Sequence, residues 1–343
     1  MDTQLREQAE KATGRTFAGA PVLKLKGEAS SRSYHRVGTP PDSVVVMVMP
    51  QDAKKSEEGG AAEAPTELPF VNVHRYLSKL GVRVPRIHRY DEPAGMMVLE
   101  DLSDLTFEQA LEGGKHAEAL YGRAVELLAL LRARAEQQPD TGCIAYGRAF
   151  DEALYDWELH HFREWGMEAW SGRTVTGAER TELDQHFRTL AAELAAAPRG
   201  FTHRDYQSRN IMVTGGELVV IDFQDALLGP RQYDLVALLR DSYVELPYAF
   251  VDRMLDRYLD AFEPLRGVRV DRPAFKAFFD LLTIQRKLKD AGRFEFIHRV
   301  KGNSGFLVSI PASLRYVKAA FARRPELRPL QTLIAGYVPE LQP

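Results

Sequence analysis

Three residues in one short segment carry side chains suited to chemistry. In Phe201 to Asp225, FTHRDYQSRNIMVTGGELVVIDFQD, Asp205 is followed by Asn210 five residues on and by Asp222 seventeen residues on. The apolar stretches after Asn210 and before Asp222 read as two strands turning at Gly215-Gly216, a pair that tolerates the positive φ of a tight hairpin. Such a hairpin folds Asp222 back beside Asn210, with Asp205 on the loop leading in. Two carboxylates and an amide oxygen in one cluster suit phosphoryl transfer. One carboxylate accepts or orients the proton of an attacking hydroxyl, while an Asp and an Asn hold a Mg2+ that bridges nucleotide phosphates. Taken singly, His203, Asp205 and Asn210 would pass for turn caps. The coincidence of five identities with two spacings argues for a site.

The elements that must position this segment differ along the chain. Up to about Leu99 the pattern is strand-rich: Pro21 to Lys26 alternates, Tyr34 to Val37 follows the polar stretch Gly27 to Ser33, and Ser43 to Met49 is an apolar, β-branched run expected to be a buried central strand. Gln51 to Thr66 reads as a flexible linker. From Pro69, the residues Phe70, Val73, Leu77 and Leu80 share one helical face that ends at Gly81. Met96 to Leu99 is a further strand. Beyond residue 104 the spacing predicts helices over Leu120–Leu131, Glu179–Leu194, 249–262 and 273–291, and another opening at Leu235 with Asp234 at its start. The expected fold is therefore α+β and two-lobed, with residues 1–102 as the small lobe and 103–343 as a larger, mostly helical lobe. The chemistry is expected at their junction.

Composition bounds the partners. The chain has 343 residues, with 45 Lys plus Arg against 48 Asp plus Glu, a net charge of −3. That balance offers no electrostatic case for nucleic acid or an anionic membrane. A single cysteine, Cys143, excludes an intrachain disulfide framework and a cysteine-built metal site. The start MDTQLREQAEKATGR has no apolar signal region, and the longest apolar run, Val44 to Met49, falls far short of the ~18 residues of a membrane span. A cytoplasmic protein acting on a small molecule is expected.

HRDYQSRN and VIDFQD resemble the catalytic and metal-binding motifs of the aminoglycoside phosphotransferase and choline kinase-like group, relatives of the protein kinases. Within that group, EASSRSYHRV, LPFVNVHRYLSKLGVRVPRI, DFQDALLGPRQYDLVALLRDSY and QRKLKDAGRF are similar to stretches of the bacterial anomeric sugar kinases that act on N-acetylmuramate and N-acetylglucosamine in cell-wall recycling. The resemblance implies a protein-kinase-like fold, ATP and Mg2+ as cofactors, Asp205 as catalytic base, and Asn210 and Asp222 as metal ligands. It further implies that His203 braces the catalytic loop and that Asp234 bonds that loop's backbone, although a plain N-cap explains Asp234 equally well. Glu100 to Leu102 fall where the family's hinge holds adenine, and Ser30, Ser31 and Ser33 where phosphate is cradled in place of a Gly-rich loop. The strand Val44 to Met49 lacks the lysine of the protein-kinase pattern, leaving Lys24, Lys26, Lys54 or Lys55 as substitutes.

The acceptor is read from what is missing and what is charged. Asp222 is followed by Phe223-Gln224, and Pro230 stands eight residues after Asp222, leaving no room for a long activation segment. A small-molecule acceptor is expected. Residues 271–301 carry a net charge of +4, which suits an anionic acceptor such as the lactyl carboxylate of N-acetylmuramate and suits a polycationic aminoglycoside poorly. Arg286 and Lys289, three apart on one helix face, are the candidates for acceptor binding. Tyr155, Trp157, Trp165 and Trp170 offer rings to a sugar, or to the core. The competing readings are a kinase of another small alcohol, such as an aminoglycoside or a choline-like acceptor, and a nucleotide-binding pseudokinase.

Overall fold

The computed structural model describes residues 1–25, 32–50, 67–112 and 117–343. These fall into two compact units, Met1–Ala110 with Arg209–Asp225, and Leu111–Ser208 with Ala226–Pro343. The first unit thus extends past residue 102 and takes in the hairpin of the motif segment. It holds helix α1 (Asp2–Thr13), strands β1 (Val22–Lys24), β2 (Ser33–Val37) and β3 (Val44–Val48), helix α2 (Pro69–Lys79), strands β4 (Ile87–Asp91) and β5 (Met96–Glu100), and the short helix α3 (Phe107–Ala110). The strands form one antiparallel sheet in the order β1-β2-β3-β5-β4. β3 is central and covered on both faces, which explains its unbroken apolar run. Val44 and Val46 pack with Val98 against Leu5 and Ala9 of α1.

Neither α1 nor β4 was legible. α1 buries only Leu5, Gln8 and Ala9, too small an apolar stripe to stand out. β4 reads IHRYD and lies half-exposed at a sheet edge, so its apolar signal is weak. The Gln51 to Thr66 stretch lies outside the described residues.

The second unit contains helices α4 (Ala117–Gln137), α5 (Glu152–Phe162) and α6 (Gly177–Ala195), and strand β6 (Arg199–Thr202). The 211–220 segment returns to the first unit as strands β7 (Ile211–Thr214) and β8 (Glu217–Val220). Strand β9 (Leu227–Pro230) then pairs antiparallel with β6, and helices α7 (Tyr233–Leu239), α8 (Tyr248–Arg266), α9 (Arg272–Lys301), α10 (Ile310–Phe321) and α11 (Arg328–Ala335) complete the chain. Among the described residues, no helix is long and apolar enough to cross a membrane.

Candidate active site

The loop that carries Asp205 leaves β6 at His203 and is held at both ends by acids in and just after one short helix. Asp234, in the first turn of α7, accepts from the backbone N–H of His203 at 2.8 Å and of Arg204 at 2.9 Å. Asp241, just beyond the end of α7, accepts from the N–H of Ser208 at 2.8 Å. Asp234 is therefore not the N-cap of its own helix, whose N-cap is Gln232. Its carboxylate is spent on the loop. Both acids are buried, and burial lifts their carboxyls above the ordinary aspartate range against the pull of the groups that donate to them. Arg204 sits at φ 80°, a conformation costly for a side-chain-bearing residue and tolerated because these bonds over-determine it. His203 is buried and meets the ring of Tyr206 edge-on at 5.8 Å, and the Tyr206 hydroxyl donates to the carbonyl of Ala124 in α4.

Asp205 itself stays reachable, with 35 % of its side chain exposed, whereas Arg286 beside it has none exposed. The Arg286 guanidinium donates to the carbonyl of Arg204 at 3.0 Å, lies 3.5 Å from Asp205 Oδ1 and stacks 4.6 Å over the ring of Tyr233. Arg286, named from the sequence as a candidate for acceptor binding, thus has its guanidinium turned to the loop backbone and to Asp205, with no exposed surface. Lys289, three residues on, is 12 % exposed and 3.6 Å from Asp290.

In the first unit, β7 and β8 turn at Gly215 and Gly216, whose φ values of 54° and 78° are those a type I′ turn demands. The Ile221 N–H donates to the Asn210 carbonyl at 3.0 Å, closing the base of the hairpin. The side chains of Asn210 and Asp222 then lie 3.4 Å apart, and Gln224 Nε2 donates to Asp222 Oδ1 at 2.9 Å. Asp222 adopts φ 63°, a second strained residue. Phe223 is buried against Phe70 of α2 at 4.8 Å, which anchors the turn. The 3.4 Å contact is the Asn210 amide nitrogen donating to Asp222 Oδ2, so the Asn210 oxygen is left to join the Asp222 carboxylate as the hard-oxygen donors a Mg2+ would take. Among the described residues, no group of three or more His, Cys, Asp or Glu forms a self-sufficient metal cage.

The segment after β5 is clamped rather than free. Asp101 accepts from Arg36 Nη2 at 3.0 Å and from Ser103 N–H at 2.9 Å, and the Ser43 hydroxyl also donates to it. Arg36 reaches Asp104 as well, at 2.9 Å. Burial opposes the charge on Asp101, yet these bonds outweigh it and hold the carboxyl below its ordinary range. Glu100 is tied to Arg83 and to the N–H of Arg86, so its side chain is structural. Leu102 packs with Met212, Val219 and Ile221 into a small, largely buried apolar cluster. Ser33 is the first residue of β2, paired opposite Val48, rather than part of a loop. Ser30, Ser31, Lys26, Lys54 and Lys55 lie outside the described residues, and Lys24 sits on β1 opposite His35. Asp241, Gln224 and the Arg36–Asp101 pair went unnoticed in the sequence. Only Asp241, in the RDSY stretch, had a local signal, as an acid just past a helix end.

A sequence model of the phosphotransferase enzyme family matches residues 22–268. An N-acetylmuramate/N-acetylglucosamine kinase of Pseudomonas aeruginosa is 33% identical over 92% of this chain and 88% of its own length. An enzyme of the same name from Neisseria meningitidis is 33% identical over 94% of this chain and 90% of its own length. Among solved structures, choline kinase LicA from Streptococcus pneumoniae superposes with a TM-score of 0.61 at 14% identity, over 94% of this chain and 99% of that one. The choline kinase of Cryptosporidium parvum gives 0.62 at 11% identity, over 97% and 98%. Those likenesses show the two-lobed kinase-like fold. From the family match over most of the chain and the extent of these relatives, the chain belongs to the phosphotransferase enzyme family and is a kinase.

Proposed function

We propose that this kinase transfers the γ-phosphate of ATP to the anomeric hydroxyl of N-acetylmuramate, N-acetylglucosamine or both. The observation that carries the reading is the exposed Asp205 on a loop pinned at both ends, in a chain a third identical to kinases named for those two sugars. Asp205 accepts or orients the proton of the attacking hydroxyl. Asn210 and Asp222 hold the metal, which neutralises phosphate charge when bound. Leu102 and Met212, at the edge of a buried apolar cluster, pack on the adenine ring, and the backbone of the clamped segment around Glu100 to Leu102 supplies its polar contacts.

The test is ADP release across a panel of sugars and alcohols, with the phosphate position in the product read by NMR. The reading expects turnover with the two amino sugars, phosphate on the anomeric carbon, and a loss of roughly 1,000-fold or more in kcat for Asp205→Asn. Turnover confined to an aminoglycoside or choline would overturn the acceptor. Nucleotide binding without turnover of any acceptor would make the chain a pseudokinase.

A further inference from the structure

Residues that the phosphate chemistry leaves unused gather along α5 and α9. On α9, Arg286, Lys289, Arg293 and Phe296 follow at intervals of three, four and three, so they lie in one row along the helix. At 1.5 Å per residue the row is about 15 Å long, and its first member is the guanidinium behind Asp205. On α5 and the π-helical turn Arg163–Ala169 that continues it, Trp157, His161 and Trp165 recur every four residues.

The two rows meet. The His161 ring lies 5.3 Å from that of Phe296, and Trp165 meets Phe296 edge-on at 5.2 Å. Trp157 stacks on His161 at 5.3 Å with 14° between the planes, and the Arg293 guanidinium lies 5.0 Å over Phe296. The approach is close at Gly292, where a Cβ would stand 2.9 Å from Cα of Phe162. Trp157 is 48 % exposed, and Lys289, Arg293, Phe296, His161 and Trp165 are half-buried. A π-helical turn costs hydrogen-bond geometry and recurs at functional sites. Here it falls on the segment that carries Trp165.

We infer that this strip is the acceptor-binding surface, the aromatic row stacking on the apolar face of an N-acetylated pyranose and the basic row, Lys289 and Arg293, receiving a carboxylate where the sugar bears one. The inference rests on the proposed function and deepens it. Flat rings beside cations match a carboxylated sugar: stacking supplies sequence-independent contact area, and a guanidinium binds a carboxylate through two parallel hydrogen bonds. The buried end of the basic row, Arg286, stands 3.5 Å from Asp205, and Lys289 and Arg293 follow it along α9.

The experiment uses the full-length protein with ATP and three variants, Trp157→Ala, Phe296→Ala and Arg293→Gln. Arg293→Gln is expected to raise the KM for N-acetylmuramate roughly tenfold, with the KM for N-acetylglucosamine changed less than about twofold. The ring variants are expected to raise the KM for both sugars roughly fivefold, with the KM for ATP unchanged. Unchanged sugar KM values in all three variants overturn the strip. If the wild-type protein turns over neither sugar, the functional reading falls and the strip is judged by saturation-transfer NMR on the two free sugars. Transfer to the sugar ring that weakens in Trp157→Ala sustains it, while no transfer, or transfer equal in the variant, overturns it.

Discussion

The guanidinium of Arg286 and the carboxylate of Asp205 stand 3.5 Å apart, the first buried and the second open to solvent. The arrangement holds Oδ1 of a carboxylate whose side chain stays 35 % exposed. The same guanidinium holds the Arg204 carbonyl at 3.0 Å, so it positions the loop and the side chain together. Catalysis by an oriented group is sensitive to shifts of about 1 Å. Arg286→Gln is therefore expected to lower kcat roughly 100-fold with little change in the KM for ATP, and Arg286→Lys to recover part of it. Steady-state kinetics on the folded variants check this; equal loss in both variants would reduce Arg286 to a packing residue.

Asp234→Ala removes the acceptor for two buried N–H groups, those of His203 and Arg204. An unpaired buried donor costs about 1–3 kcal/mol, so denaturant unfolding should show a loss of about 2–6 kcal/mol for the two, together with a fall in kcat. Asp234→Asn, which keeps one acceptor oxygen, should lose less.

The Arg36–Asp101 pair should behave as a buried ion pair. The two side chains are 7 % and 4 % exposed, so Arg36→Met strands a charge and is expected to cost about 3–5 kcal/mol. The double variant Arg36→Met with Asp101→Leu should cost less than the sum of the single variants. Additive losses in a double-mutant cycle would show that the clamp is not coupled.

Glu136 accepts from Arg132 at 2.8 Å and from Arg231 at 2.9 Å, and Arg132 also holds the carbonyls of Phe201 and Gly229, on the strands flanking the Asp205 loop. Burial works against the Glu136 charge, but the two arginines prevail and pull its pKa from 4.5 down to about 2. The folded value lies below the unfolded one, so the stabilisation is complete above pH 4.5 and is lost as pH falls from there toward 2. Stability of the wild-type protein should decline over that window by up to about 3 kcal/mol from this group. Glu136→Gln should start lower and decline less, which urea melts at a series of pH values would measure.

Much of the site was legible because its signals are local. Gly215-Gly216 sets a tight turn by its own backbone freedom, so the hairpin that pairs Asn210 with Asp222 could be read from about a dozen residues. The β-branched run of β3 and the helical faces of α2 and α4 follow from periodicities of two and 3.6 that burial imposes on neighbouring positions. The pairings that were missed share another property. Arg36 meets Asp101 across 65 positions, and Arg286 meets Asp205 across 81. A charged side chain on a helix reads the same whether it faces solvent or a buried carboxylate. The sequence by itself determined the reaction class, through a motif whose parts are neighbours in the chain. Tertiary structure decided which cations support the Asp205 loop and which face outward, because burial and pairing depend on what distant segments bring alongside.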